Sequence, residues 1–157
     1  MTNGMFTEIL LGILAISLVV AAVIDVKTFT ISNRLNAFIA LLAPLFWWSN
    51  GLDFWPDAAI QVGIAMLVFV VLAGAFYAGM MGGGDVKLAA ALALWFSPTS
   101  TVMFLILMSI AGGVLTLVVV AIHRTKKKEG KPQVPYGVAI AFGALAILTQ
   151  RFLNQFA

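Results

Sequence analysis

Apolar residues gather in long runs at about residues 6–24, 35–48, 58–81, 86–96, 101–122 and 134–153, separated by polar, Gly or Pro punctuation of the kind that ends helices. This pattern predicts six helices. Two of the runs are short. LNAFIALLAPLFWW contains Pro44, and VKLAAALALWF would rise only about 16 Å at about 1.5 Å per residue. The fourth helix must therefore borrow flanking residues, tilt, or sit re-entrant.

Composition turns helices into spans. Hydrophobic residues make up 62% of the chain and charged residues 10%, with a mean hydropathy of +1.08, which excludes an ordinary soluble globular domain. The 157 residues leave room for about six spans of roughly 20 residues and little else. The expectation is an all-α integral membrane protein, a single polytopic domain over residues 1–157 with six transmembrane helices. No Lys or Arg precedes the first apolar run, and Glu8 lies where a signal peptide would be positive, so the first span reads as retained. The chain has no cysteine, which excludes disulfides, zinc ribbons and thiol nucleophiles.

Charge sets the orientation. With the N-terminus and C-terminus outside, Lys27, Arg34, Lys87, Arg124, Lys126, Lys127, Lys128 and Lys131 are all cytoplasmic and only Arg151 is external. The reverse topology would export eight of nine basic residues, against the positive-inside bias. Trp47, Trp48, Trp55 and Trp95 then mark the outer ends of spans, where an aromatic belt is expected. The stretch 123–133, HRTKKKEGKPQ, reads as a basic cytoplasmic loop, solvated and able to meet anionic lipid. It accounts for five of the nine basic residues and favours a topological role for the net charge of +3 over nucleic-acid binding. His123 has no Cys, His or Glu at ligand spacing, so neither a metal nor another cofactor is expected.

Two acids remain at the inner level. Asp25 closes the first helix and Asp85 opens the fourth. An ionisable residue so placed is a functional candidate by default. Asp85, after Gly82, Gly83 and Gly84 and before an apolar helix, also reads as a plain N-cap. Asp25 is harder to explain in that way, because it sits where the helix macrodipole disfavours an anion, and a surface pair with Lys27 would contribute only about 0–1 kcal/mol. Two carboxyls sharing a site do not both ionise readily. One holds a proton while the other stays anionic, and a water between them can be activated to attack an amide carbonyl. On this reading Gly82 to Gly84 permit backbone geometries closed to other residues and let an extended peptide approach the carboxylate.

GGGDVKL, residues 82 to 88, resembles the Gly-x-Gly-Asp-x-Lys motif of the type IV prepilin peptidases, membrane aspartic proteases with six spans. DVKTFTISN, residues 25 to 33, is similar to the segment that carries that family's other catalytic aspartate, and VPYGVAIAFG, residues 134 to 143, to its Pro-aromatic-Gly opening of the last span. The resemblance implies Asp25 and Asp85 as the catalytic pair, with Gly82, Gly83, Gly84, Lys87 and Lys27 in support and Pro135 and Tyr136 as candidates for the substrate's surroundings. It implies a prepilin substrate, with a basic leader and a hydrophobic helix, cleaved after a glycine at the cytoplasmic face of the bacterial inner membrane. The chain departs from the pattern in carrying Ile31-Ser32 where members often have Ile-Pro. It also lacks the cysteine-bearing insertion of the larger, methylating members. It thus resembles the peptidase-only branch of tight-adherence (Flp-type) pilus systems.

Pro135 and Tyr136 have a plain reading as the start of a helix at the interface. Paired membrane acids also occur in small proton or cation transporters, but no acid here occupies the middle of a span. A structural subunit of a pilus or secretion machine would tolerate loss of both carboxylates. A presenilin-like protease shares Gly-x-Gly-Asp but would place Tyr before the first aspartate, where this chain has Ile24.

Overall fold

The computed structural model describes residues 4–126 and 132–156. Among them the chain is helical throughout: α1 Gly4–Thr28, α2 Asn33–Ser49, α3 Ala59–Tyr77, α4 Gly83–Ala93, α5 Pro98–Thr125 and α6 Tyr136–Phe156, with a single π-helical turn, Phe54–Ala58, leading into α3. All six predicted helices are present. Local chemistry explains their ends. Ser32 Oγ caps α2 by accepting the Leu35 N–H at 3.2 Å, so Ser32 starts this helix. Ser97 caps α5, with Pro98 in its first turn. Gly79, at φ 71°, ends α3 in a Schellman arrangement in which Met80 N–H donates to Ala75 and Gly79 N–H to Phe76.

Among the described residues four helices are long and apolar enough to cross a membrane: Gly4–Thr28, Phe54–Tyr77, Pro98–Thr125 and Tyr136–Asn154. The chain is a multi-pass membrane protein. Of these four, α3 and α5 bury the least of their surface and leave Met66, Leu67, Val70, Ile110, Val114 and Leu117 exposed, as lipid-facing spans do. Contacts among α1, α2, α4 and α6 make the centre, with α3 flanking α4 and α5 flanking α6. The short α4 is enclosed by α2, α3 and α6, and Leu88, Ala89, Leu92 and Ala93 are fully buried.

The basic stretch differs from expectation. Helix α5 runs to Thr125 and carries His123 and Arg124 in its last turn, where the negative end of the dipole favours cations, so the loop expected over 123–133 begins later. Lys127, Lys128 and Lys131, with which it was defined, lie outside the described residues. The tryptophans also divide. Trp48 and Trp55 are well exposed, but Trp95 is only 2% exposed and donates its indole N–H to the Ile39 carbonyl at 3.0 Å, while half-buried Trp47 donates to Leu94 at 2.7 Å. These two bonds tie the end of α4 to α2. Opposite the acid end, Arg151 Nη2 donates to Asn50 Oδ1 at 2.8 Å, with its guanidinium 5.1 Å from the centre of the Phe46 ring.

Because Trp95 supplies the only donor of its ring to a buried carbonyl, Trp95→Phe is expected to cost about 1–3 kcal/mol, whereas Trp48→Phe at an exposed position should cost far less. Thermal denaturation in detergent checks the contrast.

Candidate active site

The end of α1, the start of α4 and the start of α6 meet at one end of the bundle. Asp25, 2% exposed, lies in the last turn of α1, and Asp85, 8% exposed, in the first turn of α4. The misplaced charge of Asp25 is explained by a helix distant in sequence. Its Oδ2 accepts the Gly137 N–H at 2.7 Å, in the first turn of α6, and the Val138 N–H lies beside it. A carboxylate at the wrong end of α1 is thus at the favourable, positive end of α6.

Asp85 is not the N-cap of α4. Gly82 occupies that position, with φ −77° and ψ 149°, and Asp85 is the third residue inside the helix, its Oδ2 accepting the Gly82 N–H at 3.1 Å. This is the carboxylate half of a capping box. The glycines also act differently from the expectation. None of Gly82, Gly83 and Gly84 has the left-handed backbone that glycine alone favours. Two of them leave no room for a side chain: a Cβ on Gly82 would lie 2.9 Å from Asp85 Oδ2 and on Gly84 2.8 Å from the Ile31 carbonyl oxygen, while on Gly83 it would make ordinary contact, 3.4 Å from the Phe76 ring.

Ile31 joins the two halves. Its backbone packs on Gly84, next to Asp85, and its Cδ1 would lie 2.7 Å from a Cβ on Gly137, beside Asp25. The residue before Asp85 and the residue bonded to Asp25 therefore both meet Ile31. The turn that follows Asp25 is tight: Phe29 adopts φ 51° and donates its N–H to the Asp25 carbonyl at 2.8 Å, a left-handed conformation unusual for a bulky residue. Each carboxylate has about four lone-pair sites, so one backbone bond leaves capacity for a water or a peptide.

The other predicted residues fall into different places. Lys87 is exposed and its Nζ donates to Asn33 Oδ1 at 2.8 Å, bracing α4 against α2. Lys27 is exposed and makes no hydrogen bond or ion pair among the described residues. Tyr136 faces α5, its ring against Gly112 and its hydroxyl 3.1 Å from Thr116 Oγ1, and Pro135 is half-buried at the start of α6. Two residues were missed. Asn36 Nδ2 donates to the Gly84 carbonyl at 2.9 Å, and its signal was a polar residue inside the second apolar run. Gly137 stood in the VPYGVAIAFG motif, but only the fold shows that it donates to Asp25. No group of three or more His, Cys, Asp or Glu able to hold a metal occurs among the described residues.

Gly137→Ala would press a methyl to within 2.8 Å of Asp25 Oδ2 and is expected to cost about 1–3 kcal/mol, while Gly113→Ala, with nothing within 4 Å of the added carbon, should be neutral or stabilising. Paired thermal denaturation of the two variants measures the difference.

Curated proteins and solved structures give no match to the chain. The model of the type IV leader peptidase family matches residues 12–117, more than half of the sequence and the part that holds Asp25, Ile31, Asn36 and Asp85. A family match of that extent, over a membrane helical bundle with two buried acids at one end, identifies this chain: it belongs to the type IV leader peptidase family.

Proposed function

We propose that the chain is a membrane aspartic endopeptidase that removes the short basic leader of prepilin-like proteins, with Asp25 and Asp85 as the catalytic pair. The observation that carries this reading is that two buried carboxyls, 60 residues apart in sequence, lie at one end of the bundle, Asp25 bonded to Gly137 and Asp85 next to Gly84, both of these glycines packing on Ile31. A water held between them gives one proton to the anionic carboxylate as its oxygen attacks the scissile carbonyl. The protonated partner donates to the carbonyl oxygen. Collapse of the tetrahedral intermediate breaks the C–N bond: the first carboxyl gives its new proton to the departing amine and the partner takes back a proton from a hydroxyl of the gem-diol, which restores the pair.

Orientation belongs to the same proposal. All six helices cross the membrane, α4 as a short span sheltered by protein, with both termini outside and the carboxyls at the cytoplasmic face of the bacterial inner membrane. The bias of basic residues to the acid end supports it: Lys27, Arg34, Lys87, Arg124 and Lys126 end or begin the helices there. Cleavage after a glycine, the peptidase-only activity and the tight-adherence branch rest on the resemblance of the motifs.

One observation favours a second, structural reading. Each carboxylate completes the start of a helix, Asp25 for α6 and Asp85 for α4. Asparagine separates the two, because its carbonyl oxygen still accepts the backbone N–H but cannot exchange a proton. Asp25→Asn and Asp85→Asn are therefore expected to remain folded yet lose about 10²- to 10⁴-fold in cleavage of a co-expressed prepilin at matched membrane levels. Full cleavage by either folded variant would leave the structural reading standing. Mass spectrometry of the wild-type product, with a methyl donor supplied, is expected to show an unmethylated N-terminal amine.

A further inference from the structure

A groove of about 520 Å³ opens between α2, α3 and α4. Ala37, Ala40, Ala65 and Ala90 give it width, and Met66 and Val70, 64% and 66% exposed, form its lip. One end is polar. Lys87, Asn33 and Asn36 lie there, and Asn36 is bonded to the carbonyl of Gly84, the residue before Asp85. Asn36 is 5% exposed, and its Oδ1 is buried without a hydrogen-bond partner. A buried acceptor left unmade in a native protein calls for a reason.

A membrane peptide must be unwound before an amide in it can be cleaved, and unwinding frees N–H and C=O groups that lipid cannot satisfy. The polar end of the groove offers what such a backbone needs. Asn36 Oδ1 is an acceptor, and Lys87 uses one of its three donors on Asn33. Beyond it, small side chains let a helix approach closely along about 10 Å of α4, from Lys87 to Leu94. A second groove of about 440 Å³ between α5 and α6 is lined by apolar side chains alone, among them Ile110, Val114 and Phe142, and has no such end.

We infer that the groove between α2, α3 and α4 seats the hydrophobic helix of the substrate, with Asn36 Oδ1 accepting an N–H of the stretch unwound beside Asp85. The inference rests on the leader-peptidase reading above. The chain has no cysteine, so each introduced thiol is unique. Ala37→Cys and Met66→Cys, in membranes with a prepilin carrying one cysteine in the first two turns of its helix, are expected to form enzyme–substrate disulfides, and Phe142→Cys is expected to form none. Asn36→Val is expected to raise KM for the intact substrate about tenfold or more at matched membrane levels.

Wild-type enzyme is assayed on the same substrate in parallel. If it does not cleave, the peptidase reading falls and this inference with it. If it cleaves but cross-links arise only from Phe142→Cys, join two copies of the enzyme, or do not form, the groove assignment alone is overturned. An unchanged KM in folded Asn36→Val removes Asn36 from it; should that variant not fold, the cross-links still decide the groove.

Discussion

The Gly137 N–H donates to Asp25 Oδ2 across 2.7 Å and 112 residues of chain, and the arrangement of the acid end follows from that bond. It requires that α6 begin where α1 ends. It also requires Gly137 to carry no side chain, because Asp25 and Ile31 fill the space a Cβ would take. Ile31 is thereby held against Gly137, and its own backbone limits the residue at position 84 to glycine. The position of Asp85 follows, since α4 can come this close only with Gly84 against Ile31. One capping bond thus fixes a chain of contacts that ends at Gly84, the residue before Asp85.

A short helix suits this design. At 11 residues α4 cannot span a bilayer in isolation, and backbone ends at membrane depth are tolerated only inside protein. Both ends are tied to protein. At the start the Gly82 N–H donates to Asp85 and Asn36 donates to the Gly84 carbonyl, and at the far end Trp47 donates to Leu94 and the Trp95 ring to Ile39 of α2. Lipid is met mainly by α3 and α5, whose apolar sides stay exposed, so the acids lie in a protein interior and not at a lipid surface.

Much of the fold was legible because lipid imposes it. Spans must be helical and apolar, so runs of hydrophobic residues marked all six helices, and even the anomaly of α4 appeared as a run too short to cross. Less legible were helix ends and interior hydrogen bonds. Trp95 looks like an interfacial residue in sequence and is a core residue in the fold, because its partner, the Ile39 carbonyl, lies 56 residues away. The glycines before Asp85 suggested backbone freedom; Gly84 instead packs closely on the backbone of Ile31, in the turn between α1 and α2, a neighbour that no local pattern reveals.

The sequence by itself determined that the chain is a membrane protein, where its helices run, and that Asp25 and Asp85 are acids at helix ends, Asp25 at the end that helix polarity makes unfavourable. These are local properties, set by composition and by position within a helix. Tertiary structure decided what relieves the anomaly: Asp25 is stabilised by the first turn of α6, and Gly137 and Asn36 become part of the site through bonds to residues 112 and 48 positions distant. Periodicity encodes which face of a helix is apolar, but only packing decides which helix ends share a point in space.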